Sequence, residues 1–294
     1  MAVYNRNKDA LPVLYAPQKK EVFVGYDIDS NIIHTTPNDT DPESGRRIIF
    51  FDDFDGDALN TDNWRYEIGP VRNNEPQFYR SLNNVSVHDS LLHIKAKKED
   101  YRGKTWTSGS ITSQRLKSFR YGRMEAKIKF PKITGAFCAF WMLGNYLTTY
   151  YCDEYEGDTN KTYDGGWPEC GEIDITETIP GTSVNGISNM WSYYGQSLGV
   201  RSGGANTEGF HIYACERTKD YIAMSFDGVE YGRYTFSDFS EDKIQAYIDQ
   251  YFYLILNLAV GVSGGTPASD CTEMDMYVDW VRVLAPLELL AKQN

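Results

Sequence analysis

From about Arg47 onward the chain runs in short apolar and polar alternations broken by turn residues, the pattern of strands buried on one face. In LLHIKAKK, Leu92, Ile94 and Ala96 share one face while Lys95 and Lys97 take the other. RMEAKIKF repeats this, with Ala126, Ile128 and Phe130 inward and Glu125, Lys127 and Lys129 outward. GAFCAFWMLG and QYFYLILNLAVG are apolar almost throughout, which predicts central strands covered on both faces. DYIAMSFDGVEYGRYTF sets Asp227 and Gly228 between two strand-like runs and predicts a two-residue hairpin, and DMYVDWVRV predicts a late strand of the same core. Only the terminal LAPLELLAKQN reads as a short helix. Together these elements predict an all-β antiparallel sandwich.

Residues 1–46 differ in texture: they are polar and punctuated, end in HTTPNDTDPESGRR, and read as an appendage and linker ahead of one main domain over 47–294. Within them EVFVGYDIDSNIIH predicts one hairpin, turning at Asp29, Ser30 and Asn31. Charge and two prolines near the start argue against a secretory leader there, and no run of about 18 apolar residues predicts a membrane span. The interval from Asn145 to Glu169 is rich in Tyr, Asp and Gly, and a loop of that length beside an acidic motif predicts a functional loop.

Composition narrows the function classes. A 294-residue chain that is 41% hydrophobic can bury one large core. A net charge of -12 and a pI of about 4.8 exclude a phosphate-tracking surface, so nucleic acid is not an expected partner. Cys138, Cys152, Cys170, Cys215 and Cys271 show no C-x-x-C spacing and no zinc-spaced histidine. Cys152 and Cys170 flank the long loop and are candidates for a disulfide; free buried thiols fit the scattered, odd count as well. Most of the 22 Tyr, 14 Phe and 6 Trp are accounted for by strand propensity, while any exposed near the acids would offer flat faces to sugar rings.

The candidate chemistry lies in WPECGEIDITE, residues 167–177. On a regular strand Glu172 and Asp174 point to one face and Ile173 and Ile175 to the other, which leaves Glu177 on the wrong side. One extra residue near Ile175 or Thr176, a β-bulge, reverses the alternation and returns Glu177 to the face of the other acids. Three acids on one face repel one another, a cost that a function would justify. Glycoside cleavage with retention needs two carboxyls about 5–5.5 Å apart, one ionised to attack the anomeric carbon and one protonated to release the leaving oxygen. This assigns Glu172 as nucleophile, Glu177 as general acid and then base, and Asp174 as the acid that holds the nucleophile and raises its neighbour's pKa. An exposed acidic edge strand, or carboxylates holding Ca²⁺, is the competing structural reading.

With those residues in view, the chain resembles the laminarinase-like members of glycoside hydrolase family 16 over about Ile48 to Val283. The landmarks FFDDFDGDALNTDNW, RNNEPQFYR, FRYGRMEAKIKFP, AFWMLG, WPECGEIDITE, FHIYACE, ILNLAVG and MYVDWVRV occur in the family's order. The resemblance implies a β-jelly-roll sandwich with a concave substrate cleft, retaining catalysis and no required cofactor, and its E-x-D-x-x-E motif falls on Glu172, Asp174 and Glu177. It also implies Trp141 and Trp167 as cleft tryptophans, Asn74 as a sugar-hydroxyl partner and Arg123 as a cleft donor. Structural alternatives stand beside these: core for Trp141, a turn for Asn74, an ion pair for Arg123. Asp53 and Asp279 match positions that supply oxygen ligands to a structural Ca²⁺ in some members, while Asp279 fits a surface ion pair equally well.

Departures from the family pattern bear on the substrate. Phe137-Cys138-Ala139-Phe140-Trp141 stands where W-P-A-F-W is frequent, Trp191 takes the place of a cleft histidine, and Arg217 follows Glu216 where tryptophan is usual. The Trp191 exchange removes a hydrogen-bonding partner and adds a stacking face. A polysaccharide is the expected partner: β-1,3-glucan first, mixed-linkage β-1,3-1,4-glucan second, agar-type or sulfated galactans such as carrageenan third. A transglycosylase and a non-catalytic carbohydrate-binding protein are the alternative activities. Extracellular action is expected, by a route other than a visible leader or by attachment to a larger assembly.

Overall fold

The computed structural model describes residues 40–145, 167–168, 170–179, 186–192, 195–204, 208–248 and 250–287. The hairpin expected at 21–34, nearly all of the long loop, Cys152 and most of the C-terminal helix therefore lie outside the described residues.

Two stacked sheets form the domain. The first has ten strands among the described residues, in the order Val229–Thr235, Tyr221–Phe226, His211–Arg217, Gly122–Lys129, Glu273–Leu284, Leu91–Lys97, Trp106–Ser108 and Gln77–Tyr79. Ile48–Asp52 joins Glu273–Leu284, and Val85–His88 joins Leu91–Lys97. The second has eight, in the order Gln196–Ser197, Gly186–Ser192, Glu172–Glu177, Ala136–Gly144, Phe252–Val260, Ser110–Thr112 and Arg65–Tyr66, with Arg201–Gly203 on Gly186–Ser192. Pairing is antiparallel except between Gln77–Tyr79 and Trp106–Ser108. At Gly109 the chain leaves one sheet for the other, and a Cβ there would lie 2.6 Å from a methyl of Val85, so only glycine fits the crossing.

The alternation read from the sequence decides what fills the gap. Met124, Ala126 and Ile128 of the first sheet and Phe140, Met142, Ile173, Leu254, Leu256 and Leu258 of the second are all completely buried in one apolar cluster. Ala136–Gly144 and Phe252–Val260 pair over their full length at the centre of the second sheet and are covered on both sides. A second cluster, Ala139, Trp141, Leu143, Cys170, Tyr253 and Ile255 with Trp167 packed on it, lies on the face turned away from the core. The Asp227-Gly228 hairpin forms as expected, both residues with positive φ (46° and 78°), the geometry of a type I′ turn.

The outer face of the ten-stranded sheet holds a buried charge network. Glu125, outward by alternation, is enclosed by Arg123 at 2.7 Å and by Arg282, which also reaches Asp41 at 3.0 Å. Arg46 is buried against Glu216 through two bonds of 2.7 and 3.0 Å and donates to the Ala285 carbonyl at 2.6 Å. Residues 40–46, read with the appendage, thus lie against the main domain, and Thr40 bridges to Arg47. Removing one partner of such a pair strands the other charge, which costs about 3–5 kcal/mol. Arg46→Ala should lower the urea midpoint accordingly with an unchanged m-value, and an unaltered midpoint would show that the segment contributes nothing to stability.

Candidate active site

The strand Glu172–Glu177 lies between Ala136–Gly144 and Gly186–Ser192. Against the first of these, Glu172 faces Leu143, Ile173 faces Met142 and Asp174 faces Trp141; the register then slips, so that Thr176 faces Phe140 and Glu177 faces Ala139. Ile175 is the extra residue. Residues directly opposite in an antiparallel pair share a face. Leu143, Trp141 and Ala139 all belong to the outer cluster, whereas Met142 and Phe140 belong to the core. Glu172, Asp174 and Glu177 therefore present to one face, while Ile173, Ile175 and Thr176 turn inward.

The acids are held in little water. Glu172 and Asp174 are buried, Glu177 half-buried. Trp167 donates its indole N–H to Glu172 Oε2 at 2.6 Å, and Asp174 shares a side-chain hydrogen bond with Glu172. Burial raises all three. Glu172 rises to about 7, restrained by the Trp167 and Asp174 hydrogen bonds and the Arg72 charge. Glu177 is pushed up to about 8 by burial and by Glu172. Asp174 goes well above the carboxylate range through burial and the charges of Glu172 and then Glu177. Asp174 is thus the group that keeps its proton and donates it toward Glu172, the acid best supplied with donors.

Trp191 stands opposite Glu172 on the neighbouring strand, half-buried, its ring 6.2 Å from that of Trp167 at 53°. The two indoles flank Glu172. Trp141 is opposite Asp174 but nearly covered: Arg72 lies 4.9 Å over its ring and its N–H donates to Asn257 at 2.7 Å. Asn74 is exposed in a turn with φ of 49°, two residues beyond Arg72, the turn position that its residue type suggested.

Arg123 is not in the site. Met124, Ala126 and Ile128 face the core from the ten-stranded sheet, so Arg123 points to the far side of the sandwich, where Glu125 at 2.7 Å and Ser225 at 3.0 Å hold its guanidinium. The ion-pair alternative describes it. Asp53 and Asp279 do not present a ligand set: Asp279 is bound by the Lys127 ammonium at 2.6 Å, and exposed Asp53 accepts from the Asp55 amide at 3.2 Å. A lysine on the carboxylate competes directly with a cation, so these residues do not fit a Ca²⁺ site.

Several site residues escaped the sequence reading. Arg72 is buried, bound to both Glu67 oxygens at 2.7 and 2.6 Å, and Glu67 also takes the Ser110 hydroxyl at 2.5 Å. Asn257 links Trp141 to the Tyr79 hydroxyl, which it reaches at 3.1 Å. Glu75 is buried beside Gln77 and Tyr79, and burial raises its pKa. Signals existed: Arg72 and Glu75 sit in the RNNEPQFYR landmark, and Asn257 is the lone polar residue in an apolar run, a position that demands a partner.

A stacked β-sandwich with an acid-bearing bulged strand on its outer face, flanked by tryptophans, is the framework of a glycoside hydrolase. The chain belongs to the glycosyl hydrolases family 16, whose family model matches residues 73–282. It is 32% identical over 255 residues to the beta-glucanase of Rhodothermus marinus, covering 80% of this chain and 84% of that protein. It is 31% identical over 279 residues to glucan endo-1,3-beta-glucosidase A1 of Niallia circulans, with 83% of this chain covered but only 39% of that longer protein. Among solved structures it is similar to the laminarinase of Flavobacterium sp. UMI-01, with 31% identity and a TM-score of 0.68 over 81% of this chain and all of that one.

Burial of the acids has a thermodynamic signature. Glu177 titrates near 4.3 when unfolded and near 8 when folded, so between these values the native state binds the extra proton. Its contribution to stability is therefore full below about pH 4 and is lost as pH rises toward 8. Glu177→Gln should raise Tm more at pH 8.5 than at pH 5, by about 2–4 °C per kcal/mol relieved. An equal shift at both pH values in thermal denaturation would contradict the raised pKa.

Proposed function

We propose that this chain is a retaining, endo-acting β-glucan hydrolase that favours β-1,3-glucan, with mixed-linkage β-1,3-1,4-glucan second. The observation that carries this is the bulge at Ile175, which puts Glu172 and Glu177 on one face with Asp174 between them. Glu172 is the nucleophile: the Trp167 N–H and the Asp174 proton stabilise its ionised form. Glu177, protonated at neutral pH, gives its proton to the leaving oxygen and then takes one from the incoming water, while Glu172 holds the glycosyl group. Asp174 positions Glu172 and keeps the shared proton. Trp167 and Trp191 offer stacking faces to a sugar beside the nucleophile, and Asn74 offers a hydroxyl partner at the neighbouring turn.

The relatives' names support the substrate class, since they include a glucan endo-1,3-beta-glucosidase, a beta-glucanase and an endo-1,3-1,4-beta-glycanase. A similar chain in Penaeus monodon is a beta-1,3-glucan-binding protein, so the fold also serves binding. Three intact acids, two buried and one half-buried, favour turnover here, because a binder gains nothing from a raised-pKa acid. Extracellular action follows from a polymeric substrate. Among the described residues no helix is long and apolar enough to cross a membrane.

Release of new reducing ends from laminarin, lichenan, mixed-linkage glucan, agarose and carrageenan tests this. The protein should cut laminarin fastest and lichenan or mixed-linkage glucan next, and Glu172→Gln should lose at least about 10³-fold in kcat. Cleavage of agarose or carrageenan alone would overturn the substrate class, and full activity in Glu172→Gln would overturn the assignment of the nucleophile.

A further inference from the structure

Away from the acids, the ten-stranded sheet carries a cluster that glycoside cleavage does not use. Val85–His88 and Leu91–Lys97 form a hairpin whose turn residues, Asp89 and Ser90, both have positive φ (55° and 53°), a tight type I′ connection. Register pairs His88 with Leu91 and Ser86 with His93. Val85, Val87, Leu92 and Ile94 anchor the hairpin in the core, which leaves His88 and His93 together on the opposite face, next to Asp89 at the tip.

We propose that His88, Asp89 and His93 form a binding site for a divalent transition-metal ion of the zinc, copper and nickel class. One donor atom from each of the three lies within 4.8 Å of the other two. The imidazoles stack with centroids 3.7 Å apart at 22°, and His88 Nδ1 is 2.9 Å from Asp89 Oδ2. Tyr277 meets His93 edge-on at 5.0 Å, and the His93 ring hydrogen-bonds the His88 backbone. Such a second contact orients a ligating imidazole and fixes which nitrogen offers its lone pair. His93 Nε2 is shielded from solvent and has no hydrogen-bond partner among the described residues.

Two imidazoles and a carboxylate select borderline ions over Ca²⁺ or Mg²⁺, which require oxygen donors. Lys95, the neighbouring cation on the same strand face, is engaged by Glu273 at 3.1 Å and Asp275 at 3.4 Å. Exposed His88 can rotate to open the stack, so an entering ion meets three donors on one short, anchored hairpin. The ion bridges the two strands at their turn and braces it, remote from the acids on the other sheet.

Calorimetric titration of the chelator-treated full chain with ZnCl₂, alongside the electron paramagnetic resonance of added CuCl₂, tests the site. We expect one Zn²⁺ per chain, nitrogen hyperfine structure on the Cu²⁺ signal, and loss of both in His93→Ala and His88→Asn. Asp89→Asn, which keeps the turn because asparagine also adopts positive φ, should weaken Zn²⁺ binding at least about tenfold. The exposed position of His88 keeps His88→Asn folded should His93→Ala prove unstable, and laminarin cleavage by these variants should remain unchanged. Absence of Zn²⁺ binding by the wild type, or an identical titration in His88→Asn and His93→Ala, would overturn the proposal.

Discussion

One extra residue, Ile175, sets the character of this molecule. Without the slip at Ile175, strict alternation along Glu172–Glu177 would drive Glu177 into the core opposite Cys138 and leave Thr176 facing out. With it, Ile173 before the slip and Ile175 within it both face the core, and all three acids come to the same side. The bulge has a visible local cost: the Thr176 hydroxyl, turned inward, is buried without a hydrogen-bond partner among the described residues. Such a cost persists where the surrounding strands over-determine the geometry, and here two paired neighbours do so.

Placement alone does not make the acids useful; their surroundings divide them. All three lose water, but only Glu172 receives the Trp167 N–H together with the field of Arg72, itself locked by both oxygens of Glu67. Asp174 sits between two other acids and is raised well above the carboxylate range by burial and by both their charges, while Glu177 rises through burial and through Glu172. The same strand thus carries one carboxyl prepared to ionise and one prepared to stay protonated, the separation that acid and nucleophile roles need. The polar layer of Arg72, Glu67, Ser110, Tyr79 and Asn257 fixes Trp141 and the floor beside the acids, so the site is held by side chains bonded to one another.

Much of this was legible in the residues. The half-buried strands, the two central apolar strands, the Asp227-Gly228 hairpin and the need for a bulge near Ile175 all follow from side-chain periodicity, which is a local property. The cleft position that the resemblance implies for Arg123 is wrong, and the ion-pair alternative holds: periodicity states which way a strand's side chains alternate and not which sheet the strand joins, and outward from the ten-stranded sheet is the side opposite the acids. Glu125 shows the same gap, since its outward direction was right and its enclosure by Arg123 and Arg282 depends on strands far apart in sequence. The partners of Asn257, Trp141 and Tyr79, are assembled by sheet packing, whereas Arg72 and Glu75 bond locally to Glu67, Gln77 and Tyr79 and only their burial depends on the packing. The pairing of Asp279 with Lys127 was open as an alternative and needed the register of Glu273–Leu284 against Gly122–Lys129 to become definite.

The central claim is that the bulge brings Glu172 and Glu177 to one face as a nucleophile and acid pair. Proton NMR of the first sugar released from laminarin, recorded before mutarotation, tests it most directly. Double displacement at closely spaced carboxyls predicts that the new reducing end appears first as the β-anomer and only later equilibrates. An initial α-anomer would require single displacement by a water held between widely spaced carboxyls, and would contradict the roles assigned to both glutamates.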